Sequence, residues 1–147
     1  MATTSTSALP RLRSGDHALI IRGVGAGLAL LQVPGAVFGG IEMIRHPLFA
    51  LGVTPALIEG SPFDTFLWPG ILLLVLNGIV PCVLAAGALA RVRGALPLLG
   101  AWGAGLMAWI VAQWILLADR MWLQPALFIL GAVVAAVASV GWRRGMR

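Results

Sequence analysis

Four long stretches of this 147-residue chain contain no charged side chain. There are 19 such residues between Arg22 and Glu42, 26 between Asp64 and Arg91, 25 between Arg93 and Asp119, and 22 between Arg120 and Arg143. A hydrocarbon layer about 30 Å thick is crossed by about 20 helical residues rising about 1.5 Å each, so every run suffices, or nearly suffices, for one crossing. The runs are continuously apolar, whereas a barrel strand alternates polar and apolar residues over roughly ten positions; the backbone must therefore satisfy itself as helices. With 60% hydrophobic and 10% charged residues and a mean hydropathy of +0.98, the chain lies outside the range of soluble globular domains. The expected fold is all-α: an integral membrane four-helix bundle with spans at about 18–40, 67–90, 95–118 and 124–142. A flexible polar arm at 1–15 and a basic tail at 143–147 complete the expected organisation.

All ten basic residues are arginine. With the amino terminus in the cytoplasm, that side holds Arg11, Arg13, Arg22, Arg91, Arg93, Arg143, Arg144 and Arg147, eight against Arg45 and Arg120 opposite. The positive-inside bias thus predicts that both termini are cytoplasmic. The formal charge of +5 does not imply nucleic acid, because the arginines mark span ends and no polar domain carries them. Arg22, one turn into the first apolar run, is expected to reach back to the headgroups as an anchor. The basic start, the first apolar stretch and small residues at Gly39 and Gly40 also admit reading as a cleavable signal peptide. That stretch is long for such a segment and lacks an Ala-x-Ala site, and cleavage would leave the other spans oriented the same way. Cys82 is the sole cysteine, which excludes an intrachain disulfide, a Cys-x-x-Cys redox pair and a cysteine zinc cluster.

Within the spans, Pro34 predicts a kink, and Gly23 with Gly27 and Gly35 with Gly39 offer small-xxx-small faces for close helix approach. The connection from Glu42 to Asp64 is apolar for a loop. Thr54-Pro55 followed by Gly60 predicts a one-turn helix, and Ser61-Pro62-Phe63-Asp64 a second helix start with Asp64 at the capping-box position. The loop is expected to lie on the outer membrane surface or to cap the bundle mouth. Asn77 and Pro81 stand at i and i+4, so in an α-helix the proline deprives the Asn77 carbonyl of its donor. Trp102, Trp109 and Gln113 share one helical face by their spacing. Trp68, Trp114, Trp122 and Trp142 fall at membrane boundaries, where indoles are favoured.

Two groups of polar residues are candidate sites. Gln32, Asn77 and Gln113 lie about 13, 13 and 9 Å inward from the outer span ends. They form either interhelical hydrogen bonds or a small polar chamber beneath the loop, walled by Trp109. Glu42, Arg45 and His46 stand at i, i+3 and i+4 on a helix end, where surface pairing is the plain reading. A metal or proton site there needs Asp64 or Glu59 to join Glu42 and His46, since one carboxylate and one imidazole are too few ligands. No run contains an acid, and no nucleophile stands with an acid–base pair, so no catalytic residue, metal or cofactor is expected. The halves of the chain do not repeat, which argues against an inverted-repeat transporter.

Ser61-Pro62-Phe63 with Pro69-Gly70 and Asn77-Gly78, Trp109-Ile110 with Gln113, and Leu123-Gln124-Pro125 with Gly131 together resemble an uncharacterised family of small four-span bacterial membrane proteins. The resemblance covers roughly Pro34 to Gly131. It implies the same topology in a bacterial inner membrane and carries no activity. The expected role is structural or interactive, as a homo-oligomer or an accessory subunit of a membrane complex with the lipid bilayer as solvent. The alternative is a binder or carrier of a small or lipidic molecule in the outer-half chamber. In intact membranes an impermeant maleimide is expected to leave Cys82 unmodified, and tags on the two termini to be protected together from external protease. A reactive Cys82 or an accessible tail would overturn the four-span scheme.

Overall fold

The computed structural model describes residues 14–117 and 121–145. Arg11, Arg13, Asp119, Arg120, Arg147 and nearly all of the 1–15 arm lie outside the described residues. Helices α1 (Ser14–Leu31) and α2 (Val33–Arg45) form the first span. The second is composite: α3 (Leu67–Leu72), a π-helical segment (Leu73–Ile79) and α4 (Val80–Leu89). Helices α5 (Ala95–Leu116) and α6 (Leu123–Arg143) are the third and fourth. Each span is long and apolar enough to cross a membrane, so the chain is a multi-pass, all-α four-helix bundle. Among the described residues there is no strand, only the isolated Ala50–Val53 bridge in the long loop.

The first span breaks at Gln32, with Pro34 in the first turn of α2. The proline ring obstructs the carbonyl of Leu30, so the ladder parts just before it. The buried positions of α1 are Arg22, Gly25, Ala26 and Ala29, a single face at i, i+3, i+4 and i+7. This corrects the glycine faces expected from sequence in part. Gly23 and Gly27, off that face, and Gly35 of α2 meet nothing within 4 Å, whereas Gly39 packs against Leu73; on α1 the packing glycine is Gly25, against Leu99.

Helix α5 is apolar all round, so a hydrophobic stripe cannot direct its packing, and in lipid no hydrophobic force would reward one. Shape decides instead. Its buried residues Leu96, Leu99, Gly103, Leu106 and Ile110 recur at alternating steps of three and four, the spacing of a left-handed seam. Opposite them α6 buries Gly131, Val134, Ala138 and Gly141. A Cβ on Gly103 would sit 2.7 Å from the carbonyl oxygen of Gly131, and one on Gly131 2.6 Å from that of Gly103. A second close crossing joins α2 to α3, where a Cβ on Gly70 would meet the Cβ of Met43 at 2.7 Å.

The bundle is tight at the end holding both termini. There Ala29, Ala88, Ala95, Leu99 and Val134 from four helices form one core. Arg22 belongs to it. Only 7% exposed, it donates from Nη1 to the carbonyl of Ala88 at 3.1 Å, in the last turn of α4. The expected headgroup anchor is therefore a buried cap, favoured because the carbonyl end of a helix attracts a cation. The same turn closes with Val92 N donating to Gly87 O and Arg91 N to Ala88 O, while Arg91 takes the left-handed position (φ 59°) usual for glycine.

At the other end the 46–66 loop folds back on itself. Leu51 (φ 53°) and Gly52 (φ 82°) make a tight turn clasped by reciprocal bonds between Ala50 and Val53. Ala50, Ile58 and Phe66 form a small core with Met43, Val53, Leu57, Phe63 and Leu117. Thr54-Pro55 opens a single 3-10 turn ending before Gly60. The second helix start expected at Ser61–Asp64 is not formed: Ser61 Oγ accepts from Phe63 N in a local turn, and α3 begins at Leu67.

Gly103→Val is expected to overpack the α5–α6 crossing and cost about 1–3 kcal/mol. Thermal unfolding in mild detergent should show a lowered midpoint, with Gly27→Val, on the open face, close to wild type.

Candidate functional site in the membrane interior

The site begins with Pro81. In an α-helix its missing N–H would orphan the carbonyl of Asn77, but the chain preceding it is π-helical, and Val80 N donates five residues back to Val75 O. The next donor in that register is Pro81, so the deprived carbonyl belongs to Leu76. It is satisfied from another helix: Trp102 Nε1 of α5 donates to Leu76 O at 2.8 Å. Trp102 thus replaces a backbone donor, and the orphan lies one residue before the expected one.

The π segment leaves Asn77 only 4% exposed. Gln32, at the break between α1 and α2, donates from Nε2 to Asn77 Oδ1 at 3.4 Å, a long and weak bond. Gln113 is not brought to this pair. It accepts from Nε2 of Gln124 at 3.5 Å, and Gln124 Oε1 in turn accepts from Met121 N at the start of α6. The amides anticipated as one cluster are two separate pairs. Gln124, 3% exposed, was missed as a partner because it stands beside Pro125, where it reads as a span boundary.

Beside Asn77 is a cleft of about 330 Å³ between the π segment and α5, lined by Leu76, Asn77, Trp102, Leu106, Trp109 and Ala112, with Gly105 and Ala108 at its edge. Asn77 and Trp109 therefore share a wall, whereas Gln32 and Gln113 are not among the lining residues. Helix α2 packs on α3 and the π segment, and α5 on α6, so the two pairs part at this level. Trp114 of α5 stacks on Phe128 of α6, with ring centroids 5.5 Å apart, which holds it to its partner helix.

The loop candidates separate. His46 Nε2 lies 3.9 Å from Glu42 Oε1 at the exposed end of α2. Asp64 and Glu59 instead line a shallow hollow beside Pro55 and Gly60. Among the described residues no three His, Cys, Asp or Glu side chains gather as a metal site. Comparisons of the chain with protein-family models, curated proteins and solved structures find no match.

Trp102→Phe keeps an aromatic ring and removes the indole N–H that donates to Leu76 O. It is expected to cost about 1–2 kcal/mol, the worth of an intramembrane hydrogen bond, because no water competes for that carbonyl. Thermal unfolding in detergent, with Trp122→Phe at the exposed boundary as control, checks it.

Proposed function

We propose that this protein binds one small apolar or lipidic molecule, taken laterally from the bilayer, in the cleft between its second and third spans. The observation that carries the reading is Asn77: a buried amide at the wall of an otherwise apolar intramembrane cleft. A polar group inside a membrane span is costly unless partnered, and among the described residues only the long 3.4 Å bond from Gln32 offsets it here. The volume, about 330 Å³, falls at the lower end of small-molecule sites, enough for one small ligand or one segment of a larger one. Leu76, Gly105 and Ala108 at the rim are exposed, and exposure at this depth is exposure to lipid.

The arginine asymmetry supports a bacterial inner-membrane orientation with both termini cytoplasmic, which puts the 46–66 loop outside and the cleft in the outer half of the bilayer. A structural role as homo-oligomer or accessory subunit is the second reading. It is favoured by Gly23 and Gly27, around which there is room for another helix to approach.

Gly105→Leu tests the first reading without disturbing helix contacts, since a Cβ at Gly105 meets nothing within 4 Å. Protein purified from native membrane in mild detergent is expected to carry a molecule detectable by mass analysis, and Gly105→Leu to lose it while melting near the midpoint of ligand-stripped wild type. Equal retention by both proteins would refute the cleft as the site.

A further inference from the structure

Asn77 and Trp109 give the cleft its polarity, and the indole N–H of Trp109 can only donate. Asn77 Oδ1 is occupied by Gln32, whereas its amide N–H groups have no acceptor among the described residues. No buried side-chain nitrogen or oxygen among those residues lacks a partner, so this amide nitrogen is not sealed in protein but touches open space. The indole N–H of Trp109, on the same cleft wall, likewise finds no protein acceptor, in contrast to that of Trp102. The carbonyl of Leu76 accepts from Trp102 instead of standing open to a ligand. What the cleft leaves unmet is therefore donors, two of them, in an apolar surround with no charge.

We infer that the ligand is an apolar molecule bearing an uncharged carbonyl acceptor, received by Asn77 Nδ2 and Trp109 Nε1. The inference rests on the reading of the cleft as a binding site and adds its chemical class. A hydrocarbon would leave both donors unmet, which costs affinity in a site that water does not enter. A carboxylate or phosphate would bring a charge that no cation lining the cleft offsets. Two sources carry the required group: the ester of an acyl lipid and the ring carbonyl of a quinone.

Saturable binding to the full-length protein, immobilised in detergent micelles, is measured by scintillation proximity with three tritiated probes: methyl palmitate, decyl-benzoquinone and heptadecane. At least one carbonyl probe is expected to bind about tenfold tighter than heptadecane, the worth of a single well-made hydrogen bond. Preference for the ester assigns an acyl lipid, and preference for the quinone a quinone. Asn77→Leu is expected to abolish that preference but also breaks the bond to Gln32. Trp109→Phe keeps an aromatic ring and the Asn77–Gln32 bond and removes the N–H with part of the indole; the lost shape acts on all three probes, so the preference for the carbonyl probe is expected to fall severalfold through the lost donor. Equal affinity for all three probes, or an unchanged preference in Trp109→Phe, overturns the inference while leaving the cleft as a site. Absence of saturable binding for every probe overturns both.

Discussion

A carbonyl inside a membrane has no water to turn to, and the structure is arranged around one such group. Pro81 withholds the donor that the second span needs, and the chain responds by widening into a π segment over Leu73–Ile79. Widening moves the orphan from Asn77 to Leu76, where the indole of Trp102 can reach it. It also leaves the Asn77 amide between two environments, with Gln32 on one side and the cleft on the other. A feature that looks like a defect of one helix thus fixes a contact between spans two and three and the position of a buried polar group.

Lipid offers apolar helices no reason to prefer one face over another, so close approach of small residues determines who pairs with whom. Gly103 against Gly131 binds α5 to α6, and Gly70 against Met43 and Gly40 binds α3 to α2. Both crossings belong to the half of the molecule nearer the loop, or to mid-span. At the other end, Ala29, Ala88, Ala95 and Val134 draw four helices into one core. Two tight pairs that merge at one end must part at the other, and the cleft is the space they leave. The loop core, reaching Leu117 beyond the end of α5, joins the pairs again where the helices no longer do.

The spans, their number and the all-α bundle were legible because charge is excluded from hydrocarbon and length is set by its thickness. The break beside Pro34, the polar interior at Asn77 and the 3-10 turn at Pro55 were legible for the same local reasons. What escaped depends on distances between segments remote in sequence. Nothing local distinguishes Gly25 from Gly23, or tells that Gln113 turns to Gln124 rather than toward Asn77. Arg22 reads as an anchor from its place near a span end, and only the neighbouring end of α4 makes it a cap. Arg91 hides a left-handed helix terminus because the residue there is not glycine.

Two backbone carbonyls of the second span are held by side chains that belong to other helices, Leu76 O by Trp102 at its middle and Ala88 O by Arg22 at its end. Its shape is therefore not its own property but that of the assembled bundle. This has a thermodynamic consequence for the cleft. A ligand accepting from Asn77 engages only the arrangement in which the π segment, Gln32 and Trp102 are in place, so it stabilises that arrangement by the free energy of its binding. Conversely, whatever loosens Trp102 from Leu76 lowers the population able to bind. Affinity at Asn77 and cohesion of spans one, two and three are in this way linked: what shifts the population of that arrangement shifts the apparent affinity, and binding shifts the population in return.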